Sequence, residues 1–234
     1  MEVDGGPEAR TFESRVGVRD FGLLTRLKGL HTAVIADALD QAGLRHNVMD
    51  PAIRPLDREM TLVGYAVTVE AQPVDGPPER EADYYKGELA AVDSLDAGDV
   101  LVVSTCRGPF WGELLATASR ARGANGIVAD AYTRDSARLI SMGFATFVAG
   151  ISAQDSLGRV DVVSTGGQIQ CGGVRVAPGD LLIANCDGVA VIPASHAASV
   201  VERAEAKLTR EEEMRGALRE GMPVRNAFST YGVL

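Results

Sequence analysis

Gly112-Glu113-Leu114-Leu115-Ala116 opens a stretch that runs on through Gly123-Ala124-Asn125-Gly126-Ile127-Val128-Ala129-Asp130-Ala131-Tyr132-Thr133-Arg134-Asp135. Leu114, Leu115 and the alanines after Gly112 favour a helix over 113–122, and the Gly123 to Gly126 segment has the residues of a chain reversal. Ile127 to Ala129 is a short apolar run of the kind that forms a strand buried on both faces. Ten helical residues descend about 15 Å at 1.5 Å per residue, and a strand over 126–130 climbs about 16 Å at 3.3 Å per residue. The two lengths nearly cancel. Arg134 and Asp135 therefore return to the sheet edge from which Glu113 set out, although the twenty residues 114–133 separate them in sequence. That edge lies beyond the carboxyl ends of the strands, where open α/β sheets bind ligands.

The same alternation extends outward. Strands are expected at 61–70, 100–104, 126–130, 145–149 and 181–184, with helices at 85–92, 113–122 and 135–142, a pattern that builds a partly parallel sheet. Thr32 is placed to cap a helix carrying Val34, Ile35, Ala38 and Leu39 that ends at Gly43, leaving Asp37 and Asp40 on its solvated side. Asp96-Ala97-Gly98-Asp99 and Ala177-Pro178-Gly179-Asp180 are matching turns that each feed an apolar run. Gly166 to Val176 reads as a β-hairpin region and makes the sheet mixed. From Ala194 to Arg219 the residues favour a helix whose charge run, Arg210 to Glu213, forms a solvated face with Glu211 and Arg215 at i,i+4 spacing. Residues 1–20 mix Gly, Pro, Glu and Arg without periodicity and read as an arm.

Composition bounds the function. With 234 residues, 46% of them hydrophobic, the chain fills one large α/β domain. A net charge of −9 disfavours nucleic acid and anionic membranes as partners. No run approaches the roughly 18 apolar residues of a membrane span, and the N-terminus lacks the apolar core of an export signal. Three cysteines, Cys106, Cys171 and Cys186, in no C-x-x-C spacing suggest neither a disulfide framework nor structural zinc, which fits a reducing cytoplasm.

At the rim, unpaired N–H groups of the 113–122 helix suit a carboxylate, and Gly112 permits close approach. Asp135 offers hard oxygen donors to Mg²⁺ or Mn²⁺, and Arg134 a permanent cation for a developing oxyanion. The same residues also suit a plainer arrangement, an Arg-Asp pair capping a helix at Thr133 with Glu113 complementing a helix dipole. Nucleophile-elbow, zinc-protease, P-loop and Rossmann motifs are all missing. His31, His46 and His196 are scattered and read as structural; Cys106 reads as a small buried residue or a reactive thiol, and Trp111 as a pocket wall or a core anchor.

At these positions the sequence resembles the family of class II 4-hydroxy-4-methyl-2-oxoglutarate aldolases and regulators of ribonuclease activity. The resemblance spans nearly all of residues 25–225. It is carried by Thr32 to Leu39, Ile53-Arg54-Pro55-Leu56, Val63 to Val69, Gly112 to Leu115, Thr133-Arg134-Asp135, and Gly179-Asp180 through Asp187 to Pro193. It implies a swivelling β/β/α-type single domain with a mixed sheet, assembled as a homotrimer or hexamer with the site at a subunit boundary. It further implies that Asp135 holds the divalent metal, that Arg134 contacts the substrate oxygen, and that the backbone of Gly112, Glu113, Leu114 and Leu115 takes the substrate carboxylate. The substrate would be a small 2-oxo acid, cleaved by a metal-dependent pyruvate aldolase that also decarboxylates oxaloacetate, with Glu113 holding a water as base. The alternative is a non-enzymatic, protein-binding regulator of ribonuclease activity. Glu113 stands where the well-studied aldolases have aspartate, and Asn185 where the family often has aspartate. The corresponding division is an arm over 1–24, the α/β catalytic domain over 25–195, and a C-terminal helix and tail over 196–234 packing on the same domain or a neighbouring subunit.

Overall fold

The computed structural model describes residues 19–234, so most of the arm expected at the N-terminus lies outside the described residues. Seven α-helices and eleven strands follow: α1 Phe21–Lys28, α2 Thr32–Gln41, β1 Arg54–Pro55, β2 Leu62–Pro73, α3 Lys86–Asp93, β3 Asp99–Val103, β4 Pro109–Trp111, α4 Glu113–Ala121, β5 Gly126–Thr133, α5 Ser136–Met142, β6 Ala145–Ile151, β7 Val160–Thr165, β8 Ile169–Cys171, β9 Val174–Val176, β10 Leu181–Asn185, β11 Gly188–Ile192, α6 Ala197–Arg219 and α7 Val224–Tyr231.

Nine strands form one mixed sheet in the order β1-β6-β5-β3-β2-β10-β11, with β4 added beside β5 and β7 beside β2. Its centre is parallel, β2 to β3 to β5 to β6, as the alternation of strands and helices requires. β1, β7, β10 and β11 are antiparallel to their neighbours. These strands mix the sheet; the expected hairpin at 166–176 is present as β8 and β9 but forms a separate two-stranded sheet. The segment before β1 nearly closes the main sheet into a barrel, since Val48 bridges Ala190 on one edge strand while Arg54 pairs with Val148 on β6. The Arg54 guanidinium also donates to the carbonyls of Cys186 and Asp187 across that seam, both at 3.2 Å.

The core explains the apolar runs. In β3, Val100 and Val102 point inside the barrel with Val128, Phe147, Leu182 and Val191, whereas Leu101 and Val103 face the layer of α3, α4 and α5. A strand covered on both sides has no polar face. A third cluster packs α1, α2 and α6 against Tyr65, Leu181 and Ile192.

Three local expectations are corrected. Thr32 does not cap α2: its neighbour His31 has the extended backbone of an N-cap, and Thr32 is already helical, 3% exposed, with an unpartnered hydroxyl. Asp37 is not simply solvated, because it pairs at 2.9 Å with the buried ammonium of Lys207. Lys207 also claims Glu211 at 3.2 Å, so Arg215 turns to Glu212 one turn away rather than to Glu211. Strands β1, β4, β7 and β11 and helices α1 and α7 lie outside the expected set. Among the described residues no helix is long and apolar enough to cross a membrane.

Candidate active site

The rim predicted from the matched helix and strand lengths exists. The carboxylate of Asp135 (Oδ2) accepts from the backbone N–H of Glu113 at 3.2 Å, across the twenty intervening residues. Two further bonds lock the register: Arg134 N–H donates to the Trp111 carbonyl at 2.9 Å, and the Thr133 hydroxyl to the same carbonyl at 3.2 Å. Asp135 therefore caps α4 across space, while its own helix α5 begins without a side-chain cap. Gly112 eases the close approach of the two segments: a Cβ there would lie 3.1 Å from Asp135 Oδ2 and 3.4 Å from Arg134 Nε, so a larger residue would displace the Asp135 carboxylate by a few tenths of an ångström. Much of the plainer arrangement is also present: Arg134 and Asp135 pair at 3.7 Å and Glu113 lies in the first turn of α4, but Thr133 caps no helix, its hydroxyl going to the carbonyls of Trp111 and Arg134.

A cavity of about 280 Å³ opens at this point, and all of Gly112, Glu113, Leu114, Leu115, Arg134 and Asp135 line it. Trp111 is both core anchor and wall. It is 3% exposed, stacks on Phe144 with centroids 6.2 Å apart, lines the cavity, and has a buried indole N–H without a hydrogen-bond partner. The N–H groups of Leu114 and Leu115 lie in the first turn of α4, beyond the helix's own ladder. The Glu113 side chain takes the hydroxyl of Thr117 on its own helix at 2.9 Å and the guanidinium of Arg138 on α5 at 3.7 Å, so it is held between the two helices.

Further residues line the cavity that were not foreseen from sequence, and four of them, Tyr85, Glu88, Asp155 and Ser156, shape its chemistry. Arg134 NH1 reaches Asp155 at 3.2 Å, closer than its 3.7 Å approach to Asp135. The Tyr85 hydroxyl donates to the same Asp155 oxygen at 3.0 Å. Burial raises the Asp155 carboxyl, but the Leu157 N–H, the Tyr85 hydroxyl and Arg134 outweigh it and hold it below the usual carboxylate range. Glu88 and Ser156 stand in the same wall, with Leu89, Phe110 and Gln154 beside them. The 80–90 and 152–158 segments that bring these four carry no motif, which is why spacing did not reveal them.

Backbone strain concentrates here. Among the described residues only Tyr85, Arg107 and Asp135 are non-glycine residues at positive φ, and two of the three line the cavity, at φ 55° and 56°. For a tyrosine this conformation is a genuine outlier, and such residues cluster at ligand sites. Cys106 is 7% exposed and burial pushes its thiol up, so it is a packing residue. The histidines join no metal cluster: among the described residues no three His, Cys, Asp or Glu side chains converge on one point. Of the cavity's four carboxylates, Glu88 is buried, Asp155 is engaged by Arg134 and Tyr85, and Glu113 by Thr117, which leaves Asp135, 41% exposed, as the one that fits an ion taking a single protein carboxylate and filling its shell with water and ligand. A larger cavity of about 500 Å³ near Lys28, Thr32, Asn125 and Asn185 has no carboxylate in its wall.

Residues 32–191 match the model of the RraA-like family, described as Aldolase/RraA. The chain belongs to the RraA-like family. Within it, a Halalkalibacterium halodurans protein provisionally named 4-hydroxy-4-methyl-2-oxoglutarate aldolase is 27% identical over 216 residues, covering 89% of this chain and 94% of its own. An uncharacterized Pseudomonas syringae pv. tomato protein of known structure superposes with a TM-score of 0.78 at 27% identity, covering 90% of this chain and 98% of that one. Streptomyces coelicolor RraAS2, described as an unusual member of the RNase ES inhibitor RraA family, gives a TM-score of 0.75 at 27% identity, with 85% and 98% covered. The RraA-like fold is thus the mixed α/β single domain and nearly closed sheet described above, and RraA-like relatives include proteins named for aldol cleavage and for ribonuclease inhibition.

Proposed function

We propose that this RraA-like chain is a divalent-metal-dependent lyase that cleaves a 4-hydroxy-2-oxo acid, of the 4-hydroxy-4-methyl-2-oxoglutarate type, to pyruvate and also decarboxylates oxaloacetate. One observation carries the reading: Asp135, Arg134 and the N-terminus of α4 meet at a cavity, with Asp135 Oδ2 on the Glu113 N–H. The N–H groups of Leu114 and Leu115 bind the substrate carboxylate. Arg134, braced by Asp155, faces the 2-oxo oxygen and stabilises the negative charge that collects there as the C3–C4 bond breaks. Stabilisation of developing charge by fixed donors commonly contributes more to catalysis than any other single effect. Asp135 would hold Mg²⁺ or Mn²⁺, and such an ion, when bound, would supply electron withdrawal from the 2-oxo group. Glu113 orients a water that removes the C4 hydroxyl proton in aldol cleavage. Decarboxylation needs no such base.

Around the mouth, Leu114, Ile151 and Leu89 are 77%, 64% and 50% exposed, which supports burial of this edge against another copy in a homotrimer or hexamer. We place the enzyme in the cytoplasm, without nucleic-acid or membrane partners. The test is a pyruvate-release screen of oxaloacetate and several 4-hydroxy-2-oxo acids with Mg²⁺, Mn²⁺ or chelator. Metal-dependent pyruvate is expected. No pyruvate from any substrate with either metal would sink the reading in favour of a protein-binding regulator, the role that the likeness to RraAS2 supports.

A further inference from the structure

The lyase reading leaves one step without an agent, and one buried group without a task. Cleavage of either substrate generates the enolate of pyruvate, whose C3 must gain a proton. Glu88, in α3, is buried to 4% exposure; neither of its carboxylate oxygens meets full hydrogen-bond geometry, and the Ser156 side chain is the one weak hydrogen-bonding neighbour that bears on it. The packing that buries it is specific. Gly87 lets α3 sit directly on β7, since a Cβ there would come within 2.5 Å of the Val162 Cβ. Glu88 then lines the candidate active-site cavity together with Arg134 and also a second cavity bounded by Asp83 and Asp161.

We propose that Glu88 is the acid that protonates C3 of the pyruvate enolate, an inference that rests on the lyase reading. The enolate's electron pair takes the Glu88 proton to form the C3–H bond, the 2-oxo group is restored, and Glu88 is left as a carboxylate that recovers a proton from water. In decarboxylation the balance is one proton consumed for each CO₂ released. In aldol cleavage that proton equals the one removed from the C4 hydroxyl.

Its surroundings suit the task. Burial pushes the Glu88 carboxyl up to about 7; Asp155 and Asp161 push the same way, while Ser156 and Arg134 oppose them. The other cavity groups are committed or unsuitable. Asp155 is held below the usual range and is engaged by Arg134 and Tyr85. Tyr85 is pushed up, first by burial and then by Asp155, and commits its proton to that carboxylate. Cys106, whose thiol also feels Glu88, lies outside the cavity wall and is pushed up by burial. A buried carboxyl with so little hydrogen bonding costs a protein free energy unless a ligand satisfies it, and a group with a pKa near the working pH is the best proton donor there.

The test separates C3 proton transfer from C–C cleavage. Full-length wild type and Glu88→Gln, each with Mn²⁺, are compared in two assays: exchange of the pyruvate methyl protons for deuterium in D₂O, followed by NMR, and CO₂ release from oxaloacetate. Glu88→Gln should slow exchange by about 100-fold or more, the usual worth of acid–base assistance, while CO₂ release falls by less than about tenfold. Infrared spectra of the proteins alone give a readout independent of turnover. Wild type below about pH 7 should show the carbonyl stretch of a buried protonated acid, absent from Glu88→Gln. Exchange unchanged in the variant, equal losses in both assays, or no such band in wild type overturns the role of Glu88 while the lyase reading stands. A wild type that releases no CO₂ or pyruvate from any substrate overturns both.

Discussion

Replacing Glu88 by glutamine should change how stability depends on pH, whatever the protein's activity. Burial lifts this carboxyl from its ordinary 4.5 to about 7. The native state therefore holds the Glu88 proton more tightly than the unfolded chain does. Between those two values the native state binds more protons, so stability falls as pH rises. The contribution is fully present below about 4.5, declines through the window, and is gone once pH has passed about 7. At ~1.36 kcal/mol per tenfold change in proton affinity, the loss amounts to about 3 kcal/mol. Glutamine keeps the shape and cannot ionise, so Glu88→Gln lacks this decline. Urea unfolding at a series of pH values from about 4.5 to 8 measures it directly, and subtracting the variant's curve from the wild type's removes the other titrating groups. The wild type should lose about 3 kcal/mol relative to the variant across that range. Parallel curves, agreeing within about 0.5 kcal/mol, would refute the claim that Glu88 is buried as a neutral acid.

Other substitutions test the rest of the site. Asp135→Ala should abolish metal-dependent pyruvate release while costing about 0.5–2 kcal/mol of stability, the worth of a lost helix cap; undiminished turnover at limiting Mg²⁺ would remove Asp135 from the mechanism. Arg134→Lys keeps the charge but not the planar donor that spans Asp155 and the cavity, so kcat should fall by roughly 30- to 900-fold, equivalent to about 2–4 kcal/mol; a value within about twofold of wild type contradicts the role. Glu113→Gln should depress aldol cleavage at least about tenfold more than oxaloacetate decarboxylation at saturating Mn²⁺, and equal losses would leave Glu113 as a helix-end charge. Gly87→Ala forces a methyl into Val162 and should lower stability by about 1–3 kcal/mol, read as a shift in the urea midpoint.

The parts of this molecule written in local periodicity were legible before any coordinates. The runs at 100–104, 126–130, 145–149 and 181–184 became strands because each is apolar enough to be covered on both faces, and α4 and α5 fell within a residue of their expected ends. The meeting of Glu113 with Asp135 followed from lengths alone. Short elements were opaque: β4 has three residues, too few for a period, and it exists because Pro109 and Trp111 pair with the end of β5. The antiparallel edges were opaque for a related reason, since their pairing depends on partners far away in sequence. Tyr85, Glu88, Asp155 and Ser156 reach the cavity through tertiary packing, and a lone glutamate after a glycine gives no hint that the glycine will bury it. Thr32 shows the reverse hazard. A threonine before an apolar run has the residue type of a cap, yet the helix began one residue earlier and drew it into the core.

The paired lengths of α4 and β5 bear on how distant relatives are recognised. An extra residue inside α4 would swing its first turn by about 100°, and one inside β5 would send its side chains to the opposite faces of the sheet; either would part Glu113 from Asp135. An insertion at Arg122 to Asn125 has neither effect, because that turn hangs at the far end of both elements and β5 is independently registered by Val100 against Gly126. The quantity under selection is then two half-lengths rather than one spacing of twenty. A search pattern for this site should hold 113–121 and 126–135 rigid and let the gap between them vary, and it will recover sequences that a fixed count discards.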